Sequence, residues 1–188
     1  MLVWESFQPS NLDRTIQGRS VNRMSSYRLR LYPAKTKFMW FGTRQQLPKL
    51  NLDDLANKFR SYTFRSTARV LDVLLDWELT FALHLHRLSR DCYYQLRQLR
   101  TVARSHTASA ATRPTLVHAF ITSRLDYCST IYTGLPACRL SCLERVMRSA
   151  ARLIGKIQKF DHVTRCMLDV LHWLPVRQRI QYRVVSLV

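Results

Sequence analysis

HLHRLSRDCYYQLRQLRTVAR, residues His84 to Arg104, contains the clearest secondary-structure signal in the chain. At about 100° per residue, its apolar side chains fall within one narrow arc of a helix, namely Leu85, Leu88, Cys92, Leu96, Leu99 and Ala103. Five arginines occupy an adjacent arc, where Asp91 is the one acidic residue among them: Arg87, Arg90, Arg97, Arg100 and Arg104. The pattern predicts a helix that buries one face and presents a basic stripe beside it.

Helical periodicity continues through most of the sequence after Glu78. Further helices are predicted at 107–132, where Pro114 should introduce a kink or a new start, and at 138–155, 163–171 and 176–188. We therefore expect a mostly α fold, with a helical bundle over residues 78–188. Its last helix runs to the end of the sequence without a capping signal, so we expect the bundle to be truncated there.

The sequence before Glu78 shows short strand-like patterns instead. Aromatic and β-branched runs predict strands at 37–41, at 62–65 and at 69–75, the last two suiting a hairpin. We assign residues 27–77 to these strands and a connecting loop, and residues 1–26 to a poorly ordered N-terminal segment. The expected fold is thus a helical bundle preceded by a few short β-strands.

The charge balance points to a polyanionic partner. Thirty Lys and Arg face twelve Asp and Glu, which gives a formal net charge of +18. A charge of this size opposes compaction unless a polyanion neutralises it, and nucleic acid or an anionic membrane surface can do so. Most of the basic residues are Arg, whose planar guanidinium matches phosphate and stacks on bases, so nucleic acid is favoured. The other interpretation of the stripe is an ordinary solvated helix face.

The five cysteines are an odd number in a chain without a signal-peptide pattern. This favours reduced thiols and an intracellular location, nuclear or cytoplasmic. Cys138 and Cys142 are four residues apart, whereas zinc sites usually show tighter pairs, so small buried hydrophobes are favoured over a metal site. Cys128, His118 and Asp126 are the residue types of a nucleophilic triad, but no pattern brings them together. Four Gly build no phosphate loop, and no stretch approaches the roughly 18 apolar residues of a membrane span.

Five segments, taken in order, resemble one family of enzymes. They are LRLYPAKTKFMWFGT (29–43), RVLDVLLDWELTF (69–81), HLHRLSRDCYYQLRQLR (84–100), LVHAFITSRLDYCSTIYTGLP (116–136) and LHWLPVRQRIQYRV (171–184). They are similar to the part of non-LTR, LINE-type retrotransposon reverse transcriptases that follows the catalytic core, in the jockey-like and chicken-repeat-like groups. The resemblance covers nearly the whole chain from about Val21.

This resemblance implies the last palm strands and the thumb of an RNA-directed DNA polymerase encoded by a transposable element. The thumb of that family grips the RNA template and the DNA primer. By the same resemblance, two groups of residues are expected to contact the nucleic-acid backbone. They are Lys35 and Lys37 at the palm edge, and the thumb stripe of Arg87, Arg90, Arg97, Arg100 and Arg104.

Catalysis is not expected from this chain alone. Polymerases of the family hold Mg²⁺ with a strand-borne Asp and an aromatic-x-Asp-Asp turn, and no such turn occurs here. The acidic doublet Asp53–Asp54 follows Asn51–Leu52 instead, which is typical of a solvated loop or a helix start. We therefore expect no catalytic residues, no metal site, no cofactor and no small-molecule substrate.

Two positions depart from the family's usual pattern. Tyr32 stands where Asn is usual, and Asp72 stands where Gly is usual in the hairpin of the palm edge. A carboxylate at position 72 would lie near the primer grip and repel phosphate. The sequence leaves two other functions open: a decayed element product without a selected function, and a small basic protein-interaction or membrane-surface module. Trp40, Phe41 and Trp77 could stack on bases, although core packing is favoured.

Overall fold

The computed structural model describes residues 25–28, 37–46, 63–104, 112–158 and 160–187. The chain divides into two compact units, Met1–Ser66 and Thr67–Val188. Three predicted features lie outside the described residues: nearly all of the N-terminal segment, the connection before residue 60, and the Asp53–Asp54 doublet. In the first unit, β1 (Lys37–Phe38) pairs in parallel with β2 (Thr63–Phe64).

The second unit begins with an antiparallel hairpin of β3 (Thr67–Val70) and β4 (Val73–Asp76). Its two turn residues, Leu71 and Asp72, both have positive φ, 46° and 67°. A two-residue turn in which both residues have positive φ matches the right-handed twist of the flanking strands. The predicted pairing of strands 62–65 and 69–75 is therefore wrong, because both strands of the hairpin and its turn lie between Thr67 and Asp76. The turn has neither Gly nor Asn, so the apolar run shows no break in the sequence.

Helices make up most of the second unit, which confirms the predicted mostly α fold. In chain order they are α1 (Ala82–Arg104), α2 (Thr112–Val117), a π-helical turn (His118–Thr122), α3 (Ser123–Asp126), a 3₁₀ turn (Ser129–Tyr132), α4 (Ala137–Gly155), a second π-helical turn (Cys166–Val170) and α5 (Val176–Leu187). Pro114 lies in the first turn of α2, where its missing N–H breaks no helical hydrogen bond. It therefore belongs to a new helix rather than to a kink.

The core of this unit forms around α1 and α4, which run side by side in the same direction. Near their first turns, the Cys142 Sγ lies 4.0 Å from the Leu85 carbonyl oxygen. Near their ends, Leu99 and Leu153 line one small cavity. The apolar arc predicted for α1 is confirmed, because Leu85, Cys92, Leu96 and Leu99 are buried. On α4 the buried side chains are Leu140, Leu143, Val146, Met147 and Ala150.

Two side-chain contacts join the hairpin to the helices. The Leu74 backbone N–H donates to Nδ1 of His84 in α1 at 3.2 Å, and the Tyr127 hydroxyl donates to the Leu71 carbonyl at 3.0 Å. Burial lowers the pKa of His84, and the nearby charge of Arg87 lowers it further, although the charge of Asp72 acts in the opposite direction. The imidazole therefore stays neutral, and its Nδ1 can accept the hydrogen bond from Leu74. These contacts place the hairpin in the helical unit, so the unit begins earlier than the predicted boundary at residue 78.

Asp76 organises the turn that leads into α1. Its carboxylate accepts hydrogen bonds from the Thr80 backbone N–H, the Thr80 hydroxyl and the Phe81 backbone N–H. Leu79 and Phe81 both have positive φ, a conformation that costs energy for residues other than Gly. Burial alone would raise the pKa of Asp76, but these hydrogen bonds prevail and bring it below the ordinary value of 3.8. The charged carboxylate therefore stabilises a strained turn.

Replacing this carboxylate, Asp76→Asn, is expected to lower the free energy of unfolding by about 0.5–2 kcal/mol at neutral pH, as loss of a helix cap does. The carboxylate's contribution is fully present above the unfolded-state pKa of 3.8 and is lost as pH falls through the lower folded-state pKa. Urea unfolding followed by circular dichroism at a series of pH values should show the difference between the two proteins shrinking as pH falls below 3.8.

Glu78→Gln is the matched control for Asp76→Asn, because Glu78 is an exposed carboxylate in the same turn. It should leave the free energy of unfolding nearly unchanged at both pH values. A difference between wild type and Asp76→Asn that stays equal at neutral and acidic pH would contradict the role of the charge.

Candidate nucleic-acid interface

The predicted arginine stripe lies on the solvent face of α1. Arg87 and Arg90 expose 44% and 69% of their side chains, and Arg97 and Arg100 are exposed as well. The opposite face of the same helix is packed into the core, which holds the helix in place. Four of the predicted nucleic-acid-binding residues are therefore brought together on one surface, over about 20 Å of helix.

Three other predicted contact residues cannot be placed in this way. Lys35 lies outside the described residues. Lys37 belongs to β1 in the first unit, and Arg104 ends α1, but the side chains of both are outside the described part of the chain. The candidate interface is consequently built from Arg87, Arg90, Arg97 and Arg100, which we call the α1 stripe.

One carboxylate, Asp91, lies beside the α1 stripe. Its oxygens are 3.9 Å from Nε of Arg87 and 3.9 Å from Nε of Arg90, at the outer limit of an ion pair, and its side chain is 40% exposed. Exposed pairs of this kind contribute about 0–1 kcal/mol, so both guanidinium groups can turn towards a phosphate. Within the described residues, no carboxylate lies within ion-pair distance of Arg97 or Arg100.

Other carboxylates of the helical unit hold local structure and leave the α1 stripe positive. Glu144 accepts a hydrogen bond from the Val176 backbone N–H at 2.8 Å. Asp126 accepts from the guanidinium groups of Arg179 and Arg183. Both of these carboxylates are thus engaged in joining elements of the unit.

Asp72, at a position where the sequence resemblance leads us to expect Gly, is the second residue of the hairpin turn. Its φ of 67° is a conformation that Gly adopts freely and that Asp tolerates better than most residues. Its carboxylate forms an exposed ion pair with Arg69 across the turn. The turn geometry therefore offers a physical reason why Gly suits this position, and Arg69 partly offsets the charge that Asp72 adds.

The cysteines do not assemble a metal site in the described part of the chain, where no three His, Cys, Asp or Glu side chains are grouped closely enough to bind an ion. Cys92 and Cys166 are buried, as predicted for small hydrophobes. Burial raises the pKa of the Cys92 thiol to about 11, so it stays protonated. Cys142 is half-buried, and Cys138 is exposed on the first turn of α4, where the prediction of burial is wrong.

The triad types noted in the sequence are not arranged for nucleophilic catalysis. The Asp126 carboxylate accepts two hydrogen bonds from Arg179, at 2.5 and 2.6 Å, rather than one from a histidine. His118 is exposed in the first π-helical turn, and Cys128 is half-buried with a left-handed backbone. Asp126 is therefore a structural residue, and among the described side chains no histidine or carboxylate forms a hydrogen bond with Cys128.

The aromatic side chains differ from expectation at two places. Trp40 and Phe41 are half-buried, whereas Trp77, for which core packing was favoured, exposes 37% of its surface. Tyr94 was not among the predicted stacking residues, yet it is 54% exposed on the same face of α1 as the arginines. The helical arc that predicted the stripe also contains Tyr94, so the same signal could have identified it.

None of the described helices is both long enough and apolar enough to cross a membrane. Comparisons of the chain with protein-family models, with curated proteins and with solved structures found no match.

Proposed function

We propose that this chain is a nucleic-acid-binding module, related to the thumb of a non-LTR retrotransposon reverse transcriptase. It would hold template–primer nucleic acid through backbone contacts without sequence preference. The observation that supports it best is the α1 stripe, four exposed guanidinium groups on one face of a helix whose other face is buried. A helix fixed in this way presents its charges without an ordering cost for its backbone.

Backbone contacts are the type of binding that this geometry favours. Arg donates two parallel hydrogen bonds to phosphate oxygens, and its charge releases counterions from the nucleic acid. Such contacts are independent of base sequence, as a module that moves along a duplex requires. The net charge of +18 adds a long-range attraction that speeds association.

The proposal assigns no catalytic step to this chain. An aromatic-x-Asp-Asp turn is absent from the sequence, and a polymerase of the family would need it to hold its Mg²⁺ ions. The chain is therefore proposed as the part of such an enzyme that grips nucleic acid, and not as the part that extends the primer.

The decisive test reverses the charge at two residues of the α1 stripe, Arg97→Glu with Arg100→Glu. Affinity for a short RNA–DNA hybrid should fall on the order of 10- to 100-fold at low salt, because two phosphate contacts become repulsions. The slope of log affinity against log salt should fall by about 2. Fluorescence anisotropy with a labelled hybrid, titrated at several salt concentrations, measures both quantities.

Arg145→Glu with Arg148→Glu is the matched control, since both residues are exposed on the outer face of α4 and the change in net charge is the same. A smaller loss in the control would locate binding at α1. Equal losses in the two double variants would mean that only net charge matters. Absence of binding by the wild type at low salt would refute the proposed function altogether.

A second candidate function, a basic module for a protein partner or a membrane surface, is favoured by the outer face of α5. Tyr182 and Val185 expose 66% and 76% of their surface there. Exposed apolar groups on a basic protein can insert into an anionic lipid surface. Binding to anionic liposomes at least as strong as binding to the hybrid would favour this second function.

A further inference from the structure

We propose that the α1 stripe includes a stacking site for an unpaired base, formed by Tyr94 between Arg90 and Arg97. The inference rests on the proposed nucleic-acid binding and adds to it a further form of nucleic acid that this surface binds, a strand with unpaired bases. Tyr94 exposes 54% of its surface, whereas Tyr93, the residue before it in α1, packs against the core.

Tyr94 lies within the α1 stripe along the helix and around it. Residues three and four apart on a helix are neighbours on one face, so Arg90 precedes Tyr94 and Arg97 follows it on the same surface. Arg87 lies two turns before Tyr94. The rise of about 1.5 Å per residue puts the Cα atoms of Arg90 and Arg97 roughly 6 and 5 Å from that of Tyr94 along the axis.

The Tyr94 ring is free to receive a base. In the described part of the chain it makes no ring contact and its hydroxyl makes no hydrogen bond. Two other exposed tyrosines of the unit differ in this respect or in their surroundings. Tyr127 donates its hydroxyl to the hairpin, and Tyr182 on α5 is three residues from Arg179, whose guanidinium is held by Asp126.

An aromatic ring between arginines that can turn towards phosphate is an arrangement that binds single strands. The arginines contact successive phosphates, while the ring stacks on a base whose face is open. A paired base in a duplex has its faces covered by its neighbours, so it cannot stack on a side chain without leaving the helix. Tyr94 should therefore strengthen binding to unpaired bases and add nothing for an intact duplex.

The test compares Tyr94→Leu with wild type on two labelled probes of equal length, a single-stranded homopolymer of pyrimidines and an RNA–DNA hybrid. Affinity for the single strand should fall about 5- to 100-fold, the range for loss of one stacked base, and affinity for the hybrid should stay unchanged. The single strand is titrated as RNA and as DNA, and the tighter of the two identifies the sugar that the site prefers. Anisotropy at low salt gives each dissociation constant.

Three further measurements make the test specific. Tyr94→Phe should keep the single-strand affinity, because the ring is retained. Tyr182→Leu removes another exposed tyrosine, which lies outside the α1 stripe, and should also leave affinity unchanged. On a single strand made of abasic sites, wild type and Tyr94→Leu should bind equally, since there is no base to stack.

The outcomes separate this inference from the proposed function. Equal weakening of both probes by Tyr94→Leu, or no weakening of either, would overturn the stacking site while arginine-dependent binding to the hybrid stands. A wild-type protein that binds neither probe would overturn both. Selective loss on the single strand, restored by Tyr94→Phe, is the expected result.

Discussion

Asp126→Ala is expected to lower the free energy of unfolding by about 3–5 kcal/mol, the largest single-residue effect in this chain. The Asp126 side chain is 11% exposed. Its carboxylate accepts two parallel hydrogen bonds from Arg179, one from Nε at 2.5 Å and one from Nη2 at 2.6 Å. Arg183 donates to the same carboxylate at 2.8 Å and to the Asp126 carbonyl at 3.2 Å. These contacts join the end of α3 to α5 across 53 residues of sequence.

The cost arises from the groups that remain after the substitution. Without the carboxylate, the guanidinium of Arg179, which is 21% exposed, keeps its charge in a partly buried place and faces Arg183 without an anion between them. Removing one partner of such a pair leaves an uncompensated charge, which costs far more than the pair contributes when intact. Since domains are stable by only about 5–15 kcal/mol, the loss is a large share of the total.

Two controls separate the buried pair from charge in general. Asp91→Ala removes a carboxylate that is 40% exposed and 3.9 Å from its arginines, and should cost about 1 kcal/mol or less. Asp126→Leu with Arg179→Leu removes both charges and should recover most of the stability that Asp126→Ala loses. Urea unfolding measures all three variants, and Asp126→Asn serves if the alanine variant does not fold. A cost for Asp126→Ala no greater than that for Asp91→Ala would refute the buried-pair account.

The two long helices of this chain, α1 and α4, could be predicted because each carries its own period. The helices predicted at 107–132 and 163–171 were not found as continuous α-helices, since short α, π and 3₁₀ turns occupy these segments. In α1 and α4 the apolar residues repeat at helical spacing and no Gly or Pro interrupts them, so local sequence determines both the element and its buried face. The hairpin could not be predicted in this way. Its turn is formed by Leu71 and Asp72, which adopt positive φ without the Gly or Asn that usually marks such a turn.

The α1 stripe could likewise be predicted from helical arcs, and Tyr94 with it. The partners of the carboxylates could not, because they are distant in sequence. Asp126 meets Arg179, and Glu144 meets the backbone of Val176, only after the helices pack. A pattern read along one segment contains no information about such pairs, since thirty basic residues offer many possible partners for each acid.

Leu96→Ala is expected to lower the free energy of unfolding by about 2–5 kcal/mol, the second large effect. Leu96 is 0% exposed and belongs to the core cluster that fills the space between α1 and α4. Removing its side chain loses the transfer free energy of three carbons and leaves a cavity that a helix held on both sides can close only partly. Leu83→Ala, the same change at a residue of α1 that is 54% exposed, is the control and should cost far less.

Leu96→Ala also tests whether the core holds the binding surface in place. Leu96 lies on the buried face of α1, opposite the exposed arginines and next to Arg97 in the sequence, so the substitution changes no charge and no exposed group. Under conditions where the variant is still folded, its affinity for the RNA–DNA hybrid should equal that of wild type. Under conditions where it is half unfolded, affinity should fall with the folded fraction, because the unfolded chain no longer aligns the stripe. Full affinity in the unfolded variant would mean that net charge alone binds nucleic acid and that the arrangement of arginines on α1 contributes nothing.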